Sequence, residues 1–386
     1  MKADVLLFAL LRVVVCGAAA DGALREACTE DMLRAAWELA ARHNLDHLVG
    51  LAVEKLGLLE GAVDMRYQQS VLRAVYRDTG KEYVQQQLCK TLEEASVPFI
   101  PLKGSVLRSY YPETWMRTSC DIDVLLHEED LETAVQVLEK NNGYKLIGKG
   151  GHDWTMDAPG GVHLELHYSV LEEDQVVAGQ QVLEQIWEHA TPCEGKKYQH
   201  SLSDEMFYFY HVAHMAKHVE CGGCGIRPFM DLWVLDHKVP HDAKQRERLL
   251  AKGGLLRFAR VAQALERRWF CAQDSELLSE QFAQFVLSGG AFGTLQSNVA
   301  IQQNKRNGKF AYALSRIFLP YRVLKVHYPV LKKHKWLFPV FQIVRWGKVV
   351  FAGRTKRSFL ELRLTAEVSA EDKEYIANML AFLGLD

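Results

Sequence analysis

The sequence predicts an α+β fold in which a small mixed β-sheet lies between two helical regions. Apolar residues recur at helical spacing in the first quarter and in the second half of the 386-residue chain. Between these parts, short apolar runs and alternating patterns are separated by Pro and Gly, which is typical of strands and turns. The change of period sets the expected boundaries at 1–95 for an N-terminal helical region, 96–175 for the sheet region and 176–386 for a C-terminal helical region.

The N-terminal region is predicted to be a helical scaffold or lid. Thr29 is a suitable N-cap, the apolar spacing continues through 45–56, and residues 65–95 are expected to form one long helix. The first residues are predicted to form an amphipathic helix rather than a signal peptide. Asp4 and Arg12 interrupt the charge and apolar pattern that a signal peptide requires.

The middle region is predicted to alternate strands with short helices. The expected strands are 97–102, the run that starts at Asp121, 144–147, 153–156 and 162–168. A helix over 128–141, ended by Gly143, connects the second and third of these strands. The clearest helical segments of the C-terminal region are 203–220, 226–238, 243–269, 308–327 and 369–383.

Bulk composition indicates an ordinary soluble protein. The chain has 48% hydrophobic and 24% charged residues and is long enough for two or three domains. Its eight cysteines form no dense, regular framework, so we expect reduced thiols and a cytoplasmic location. No run is long and apolar enough for a transmembrane helix.

Two carboxylates at the start of one strand are the most informative feature of the sequence. Asp121 and Asp123 are separated by Ile122, so both side chains leave the same face of the strand while Ile122 enters the core. Glu165 lies on the polar face of a later alternating strand. Oxygen donors on a rigid face suit Mg²⁺ or Mn²⁺, which points to phosphoryl or nucleotidyl transfer.

A phosphate-binding turn is predicted just before this strand. Gly104 and Ser105 follow a strand and begin a helix, where free backbone N–H groups and the helix dipole favour phosphate. Lys103 and Arg117 can neutralise phosphate charge, and the planar guanidinium suits bidentate contacts. Each of these features alone has an ordinary explanation as a turn or a solvated strand end, whereas their order and context together are more specific.

The order of these motifs supports a family assignment. Along the chain they are Leu102-Lys103-Gly104, Arg117, Asp121-Ile122-Asp123 and Leu164-Glu165-Leu166-His167. This order resembles bacterial nucleotidyltransferases of the DNA polymerase β superfold, in particular a poorly characterised branch of it. Many members of the superfold have a second glycine where this chain has Lys103. Downstream positions that resemble the branch are His214, His218, Gly225, Arg227, Asp231, Tyr328, Pro329, Lys332, Pro339 and Arg345.

The resemblance implies transfer of a nucleoside monophosphate from ATP or another NTP, with Mg²⁺ or Mn²⁺, to a hydroxyl or phosphate. It implies catalysis and metal binding by Asp121, Asp123 and Glu165. The nucleotide-binding residues that it implies are Lys103, Gly104, Ser105, Arg117, His167, His214, His218 and Arg227. The acceptor stays open among a sugar phosphate, a peptide, a protein and an RNA. A non-catalytic nucleotide-binding or regulatory module is an alternative, which the three acids argue against.

A group of histidines and cysteines leaves a second alternative open. His214 and His218 share a helix face, and with Cys221 and Cys224 they offer two nitrogens and two sulfurs for zinc in an interaction protein. The competing interpretation is packing histidines followed by a glycine-rich helix end. Asp231 follows a short distance along the chain. Its role is open: it is either catalytic or forms an ion pair with Arg227.

The charge distribution is uneven. No Asp or Glu occurs between Glu280 and Glu361, a stretch that carries eight Lys and six Arg mixed with aromatic residues. Such asymmetry suggests an anionic partner, either single-stranded nucleic acid or an anionic membrane surface. The simpler interpretation, narrowly favoured, is a helical core with a basic outer face that complements the acidic remainder.

Overall fold

The computed structural model describes residues 2–58, 65–171, 178–306, 308–351, 360 and 363–386, and it has the predicted α+β architecture. The α-helices are α1 (Ala3–Leu11), α2 (Gly22–Ala27), α3 (Glu30–Arg42), α4 (Asp46–Lys55), α5 (Met65–Glu94), α6 (Gly104–Leu107), α7 (Leu131–Asn142), α8 (Gln180–Leu183), α9 (Asp204–Glu220), α10 (Arg227–His237), α11 (Ala243–Lys252), α12 (Leu256–Cys271), α13 (Glu280–Gly289), α14 (Leu295–Lys305), α15 (Lys309–Ile317), α16 (Tyr321–His327), α17 (Val330–Lys333), α18 (Phe338–Phe351) and α19 (Ala370–Leu383).

The sheet is small and mixed, as predicted. Its strands are β1 (Phe99–Pro101), β2 (Asp121–Leu126), β3 (Lys145–Lys149), β4 (Asp153–Asp157) and β5 (His163–His167). Their spatial order is β1-β2-β5-β4-β3; β2 and β5 run parallel, and the other neighbours are antiparallel. A separate hairpin of β6 (Ala190–Pro192) and β7 (His200–Leu202), which the sequence analysis missed, follows the sheet.

The apolar face of the sheet packs against α5 and α7. Ile122 and Val124 of β2 and Leu164 and Leu166 of β5 are at most 2% exposed and belong to one hydrophobic cluster with side chains of both helices. Alternation along each strand therefore sends the intervening polar side chains to the opposite face. This opposite face is the one that carries the predicted acids.

A second core unites the helices from both ends of the chain. The predicted N-terminal helix is present, but it is not amphipathic, because every residue from Val5 to Leu11 is apolar and five of these seven side chains are buried. α1 packs against α3, α4 and α12, and the ring of Phe8 stacks on Trp269 of α12 at 4.5 Å between centroids. A helix enclosed on several sides needs apolar residues on several sides, which removes the one-sided pattern.

Several other predicted elements are confirmed, and two long helical segments are divided. The hydroxyl of Thr29 accepts a hydrogen bond from the backbone N–H of Met32, and α5 is continuous. The predicted helix over 243–269 is instead α11 and α12, separated near Gly254 with its positive φ of 71°. The predicted segment 308–327 is divided into α15 and α16 at Pro320, which ends a helix by lacking a backbone N–H. Of the helices that the structure describes, none combines the length and apolarity needed to cross a bilayer.

Candidate active site

A cavity of about 570 Å³ opens where the polar face of the sheet meets α9 and the start of α10. Its volume is within the range of about 300–1,000 Å³ that is usual for small-molecule sites. The predicted site residues that line it are Lys103, Gly104, Arg117, Asp121, Asp123, Glu165, His167, His214, His218 and Arg227. Ser105 is the one predicted site residue that does not line the cavity.

Parallel pairing of β2 with β5 brings the acids of two strands together. Asp123 and Glu165 are direct partners in the register, and Asp121 lies two residues earlier on the same face of β2. Asp123, Glu165 and His167 each offer a possible metal-ligand atom, and these atoms lie within 4.8 Å of one another. Asp121 lines the same cavity.

Asp123 is held by two cationic or hydrogen-bonding neighbours. Its side chain is 2% exposed, and its Oδ1 accepts from Lys103 Nζ at 2.7 Å and from His167 Nε2 at 2.9 Å. Burial alone would raise the pKa of Asp123, but Lys103 and His167 outweigh burial and hold the pKa well below its usual range. His167 Nε2 also lies 3.2 Å from Glu165 Oε2, so one imidazole links both acids.

The carboxylate of Asp121 is not compensated by nearby cations to the same extent. Burial, then the negative charges of Asp123 and Glu165, raise its pKa, and Lys103 opposes them only in part. The acidic wall therefore carries more negative charge than its own cation neutralises. Hard carboxylate oxygens in excess over cations are a donor set that fits a divalent cation such as Mg²⁺ or Mn²⁺.

The turn before α6 has a strained backbone at Lys103. This residue has φ 47° and ψ −122°, values of the first central position in a type II′ turn, where glycine is preferred. The turn is closed by a 3.1 Å hydrogen bond from the Ser105 N–H to the Leu102 carbonyl. A side chain at such a position costs roughly 1–3 kcal/mol. The 2.7 Å ion pair of Lys103 with Asp123 offsets this strain.

Gly104 is required by the close approach of its neighbours. A Cβ atom at this position would lie 2.9 Å from Arg117 Nη1 and 2.9 Å from the Cβ of Ser119. The Ser105 N–H, predicted to bind phosphate, is used within the turn instead, and the buried hydroxyl of Ser105 has no hydrogen-bond partner in the described part of the chain. Its nucleotide-binding role stays a prediction.

The basic wall contains two arginines that differ in their hydrogen-bond partners. Arg117 binds Asp231 through two hydrogen bonds, Nε to Oδ1 at 3.1 Å and Nη2 to Oδ2 at 2.8 Å, and Tyr111 donates to the same carboxylate at 2.8 Å. Asp231 therefore pairs with Arg117, rather than with Arg227. The Nε of Arg227 is buried and has no hydrogen-bond partner among the described residues. Burial, then repulsion by Arg117, lower the pKa of Arg227.

Comparison with known proteins agrees with this geometry. A family model described as uncharacterised nucleotidyltransferase matches residues 30–271, well over half of the chain. The chain belongs to this nucleotidyltransferase family. The family resemblance predicted from the motifs is thus confirmed, and the matched range contains every predicted site residue. No curated protein and no solved structure matches the chain.

The cavity of this nucleotidyltransferase family member also contains residues that the sequence analysis did not identify. Tyr210, His43, His152 and Asp153 line it. Lys81 of α5 lies next to the cavity and donates from Nζ to Ser119 Oγ at 3.2 Å. A single polar residue on a long helix carries no sequence signal for such a role, because only the packing of α5 behind the turn determines its position.

The histidines and cysteines of α9 and its end do not form a cluster of metal ligands. His214 Nε2 and His218 Nε2 lie 3.2 Å apart, but no three residues of the set His214, His218, Cys221 and Cys224 have ligand atoms within 4.8 Å of one another. Burial raises the pKa of the Cys224 thiol to about 12, which opposes the thiolate that zinc requires. The zinc interpretation has no geometric support in these residues.

Close packing explains the glycines between these cysteines. The loop after α9 crosses the loop before α14, and a Cβ at Gly223 would lie 3.0 Å from the Cα of Gly293. Gly223, with φ 135°, has a backbone conformation that side chains rarely adopt. The glycine-rich segment is therefore the end of a helix that another backbone approaches closely.

Proposed function

We propose that this protein catalyses metal-dependent transfer of a nucleoside monophosphate from an NTP to a hydroxyl or phosphate of an acceptor. The observation that carries the proposal is the register of β2 and β5, which sets Asp123 beside Glu165 in one cavity with Asp121 and Arg227. One wall carries acids, and the other carries an arginine that has no carboxylate partner among the described residues. This arrangement matches a ligand that combines a divalent cation with phosphates.

The acidic wall would hold the metal. Asp121, Asp123 and Glu165 supply hard oxygen donors, while Lys103 and His167 keep the Asp123 carboxylate in a fixed orientation through their hydrogen bonds. When bound, Mg²⁺ or Mn²⁺ would neutralise phosphate charge and favour the deprotonated acceptor. The excess negative charge that raises the pKa of Asp121 supports cation binding at this wall.

The reaction itself is a substitution at the α-phosphorus. The acceptor oxygen forms a bond to this phosphorus, the bond from the phosphorus to the bridging oxygen breaks, and pyrophosphate leaves with the electron pair. We assign acceptance of the acceptor's proton to Glu165, which is less buried than Asp123. Arg227 would bind the phosphates, with Arg117 contributing positive potential from behind its ion pair.

The first test of the proposal identifies both donor and acceptor. The purified protein is incubated with each labelled NTP in turn, with Mg²⁺ or Mn²⁺ and a cell extract, and labelled products are separated. We expect label in one product class, and we expect Asp121→Asn to lower its formation by about 10³-fold, the size typical of removing one charge-stabilising group. We propose ATP as the first donor to test and the cytoplasm as the location. The acceptor classes to test are sugar phosphates, peptides, proteins and RNA.

A matched variant controls for loss of a sheet carboxylate. Asp157 of β4 lies outside the cavity lining and is 49% exposed, so Asp157→Asn should retain activity. Equal losses in both variants would show that the sheet, rather than the site, is sensitive. If equilibrium dialysis shows nucleotide binding but no NTP supports transfer, the protein is a non-catalytic nucleotide-binding module and the enzyme proposal is wrong.

A further inference from the structure

The helix α15 presents an apolar stripe to solvent. Phe310, Leu314 and Ile317 are 80%, 39% and 45% exposed. Their spacing of four and three residues places them on one face of the helix. Tyr312, on the opposite side, is only 3% exposed and belongs to the main core. The exposed stripe is thus the outer face of a packed helix, a place where polar residues are usual.

A second exposed stripe lies on α18. Val340, Ile343 and Val344 are 49%, 64% and 39% exposed, again at helical spacing. Trp336, just before this helix, is 75% exposed. Isolated exposed apolar residues are ordinary, whereas two exposed stripes and an exposed tryptophan in one part of the chain favour a binding surface.

The inner face of α18 joins it to the end of α15. Arg345 donates from Nη1 to the Ile317 carbonyl at 2.9 Å and from Nη2 to the Arg316 carbonyl at 2.7 Å. Trp346 Nε1 donates to the Ile317 carbonyl at 2.8 Å, and its ring packs edge-on against Phe318. The two stripes therefore belong to neighbouring helices that are fastened together.

The positive charge of the stretch between Glu280 and Glu361 indicates what kind of partner this surface binds. Between Glu280 and Glu361 the sequence has fourteen Lys and Arg and no Asp or Glu, and one of these residues, Lys305, pairs with Glu220 of α9. Lys309, Lys333, Lys335 and Lys348, all exposed, come from this stretch. This excess of positive charge favours an anionic partner and disfavours a second copy of the same surface. The matched family range ends at residue 271, before this region begins.

We propose that the basic–apolar surface, formed by α15, Trp336 and α18, docks peripherally on a membrane that contains anionic lipids. Five of the seven exposed apolar side chains named above are aliphatic and favour lipid over nucleic acid, because Leu314, Ile317, Val340, Ile343 and Val344 cannot stack on bases as Phe310 and Trp336 can. They can enter the boundary between head groups and acyl chains while the lysines contact anionic head groups. This inference is independent of the transferase reaction.

Flotation of the full chain with lipid vesicles tests the proposal. Vesicles of phosphatidylcholine alone are compared with vesicles of phosphatidylcholine and phosphatidylglycerol, at low and high salt. We expect the protein to float with the anionic vesicles at low salt and to stay behind with the neutral ones. High salt should weaken binding, since charge attraction to the surface is screened.

Two variants, each with a control elsewhere in the chain, locate the contact. Ile343→Ser should lower vesicle partitioning about tenfold through lost apolar burial, whereas Ile147→Ser on β3, 58% exposed, should not. Lys333→Gln with Lys335→Gln should lower it by about 30-fold, since each nearby cation contributes about 1 kcal/mol, and Lys145→Gln should leave it unchanged. All five positions are exposed, so thermal unfolding should be unaffected.

Three results would overturn the proposal. The first is absence of the protein from anionic vesicles at low salt. The second is equal partitioning of Ile343→Ser and the unaltered chain. The third is salt-dependent binding to single-stranded RNA, or self-association abolished by Ile343→Ser, in a protein that does not float with vesicles.

Discussion

The two walls of the cavity hold their charges differently. On the basic wall, Arg117 is fully engaged by Asp231, while Arg227 has a buried nitrogen without a partner in the described chain. On the acidic wall, Asp123 forms an ion pair with Lys103, while burial and the neighbouring acids raise the pKa of Asp121. Each wall thus pairs one compensated charge with one uncompensated charge. We expect the compensated charges to stabilise the fold, with Asp123 also a metal ligand, and the uncompensated charges to act mainly in ligand binding.

Removal of Arg117 should have the largest effect on stability. Asp231 is 0% exposed, and Arg117→Met would leave its carboxylate buried with Tyr111 as the remaining hydrogen-bond donor among its described partners. Breaking a buried pair from one side typically costs about 3–5 kcal/mol. We expect a loss of this size in urea unfolding at neutral pH.

A second substitution distinguishes charge from packing. Arg117→Met combined with Asp231→Asn removes the orphaned carboxylate and should recover a large part of the loss. If Arg117→Met unfolds at the same urea concentration as the unaltered protein, Arg117 is not the structural member of the basic wall, and the comparison of the two arginines is wrong.

Removal of Arg227 should act on the substrate instead. Arg227→Met should raise KM for the NTP by about 10–100-fold, the effect of losing one charge-assisted contact worth about 1.5–3 kcal/mol. Its urea midpoint should be unchanged or higher, because burial and Arg117 already disfavour the charge. Arg227→Lys keeps a cation and should retain part of the affinity. A destabilised Arg227→Met with unaltered KM would contradict this assignment.

Asp121→Asn should give a small change in stability, opposite in sign to that of Arg117→Met. The pKa of Asp121 is raised in the folded protein, so its ionised form costs stability at neutral pH, and the neutral amide removes that cost. We expect a gain of about 1 kcal/mol at pH 7, as is common when a site charge is removed. The gain should vanish below about pH 4, where the carboxyl is protonated in both states.

Thermal unfolding of Asp121→Asn and the unaltered protein across this pH range measures the difference. Asp157→Asn, on the same sheet but outside the cavity, is the control and should show no comparable gain. A lower melting temperature of Asp121→Asn at pH 7 would place Asp121 among the charges that stabilise the fold.

Much of the sheet and its acids could be predicted because local patterns determine them. The alternation around Glu165 and the apolar run after Asp121 fix which side chains share a face, whatever the rest of the chain does. The spacing also predicted α5, α7, α9 and α10 closely. The predicted site residues other than Ser105 all line one cavity, while their roles in catalysis and binding stay predictions.

Features that depend on contacts between distant segments could not be predicted. The partner of Asp231 is Arg117, 114 residues away, whereas the sequence offered the nearby Arg227. The enclosed helix α1 and the divided segment over 243–269 also follow from packing. Lys103 is a different case: its positive φ contradicts local preference, and the contact that compensates it lies 20 residues further along the chain.

The in-register pairing of β2 with β5 has a consequence for how this chain can vary in length. Adding or deleting one residue within β5 would exchange Glu165 for a neighbouring leucine, so that a hydrocarbon entered the cavity and a carboxylate entered the core. Single substitutions can weaken the site gradually, whereas a one-residue shift in the register of this strand would remove it completely. Relatives that keep the site should therefore differ in length at the turns that flank β5, and not inside it.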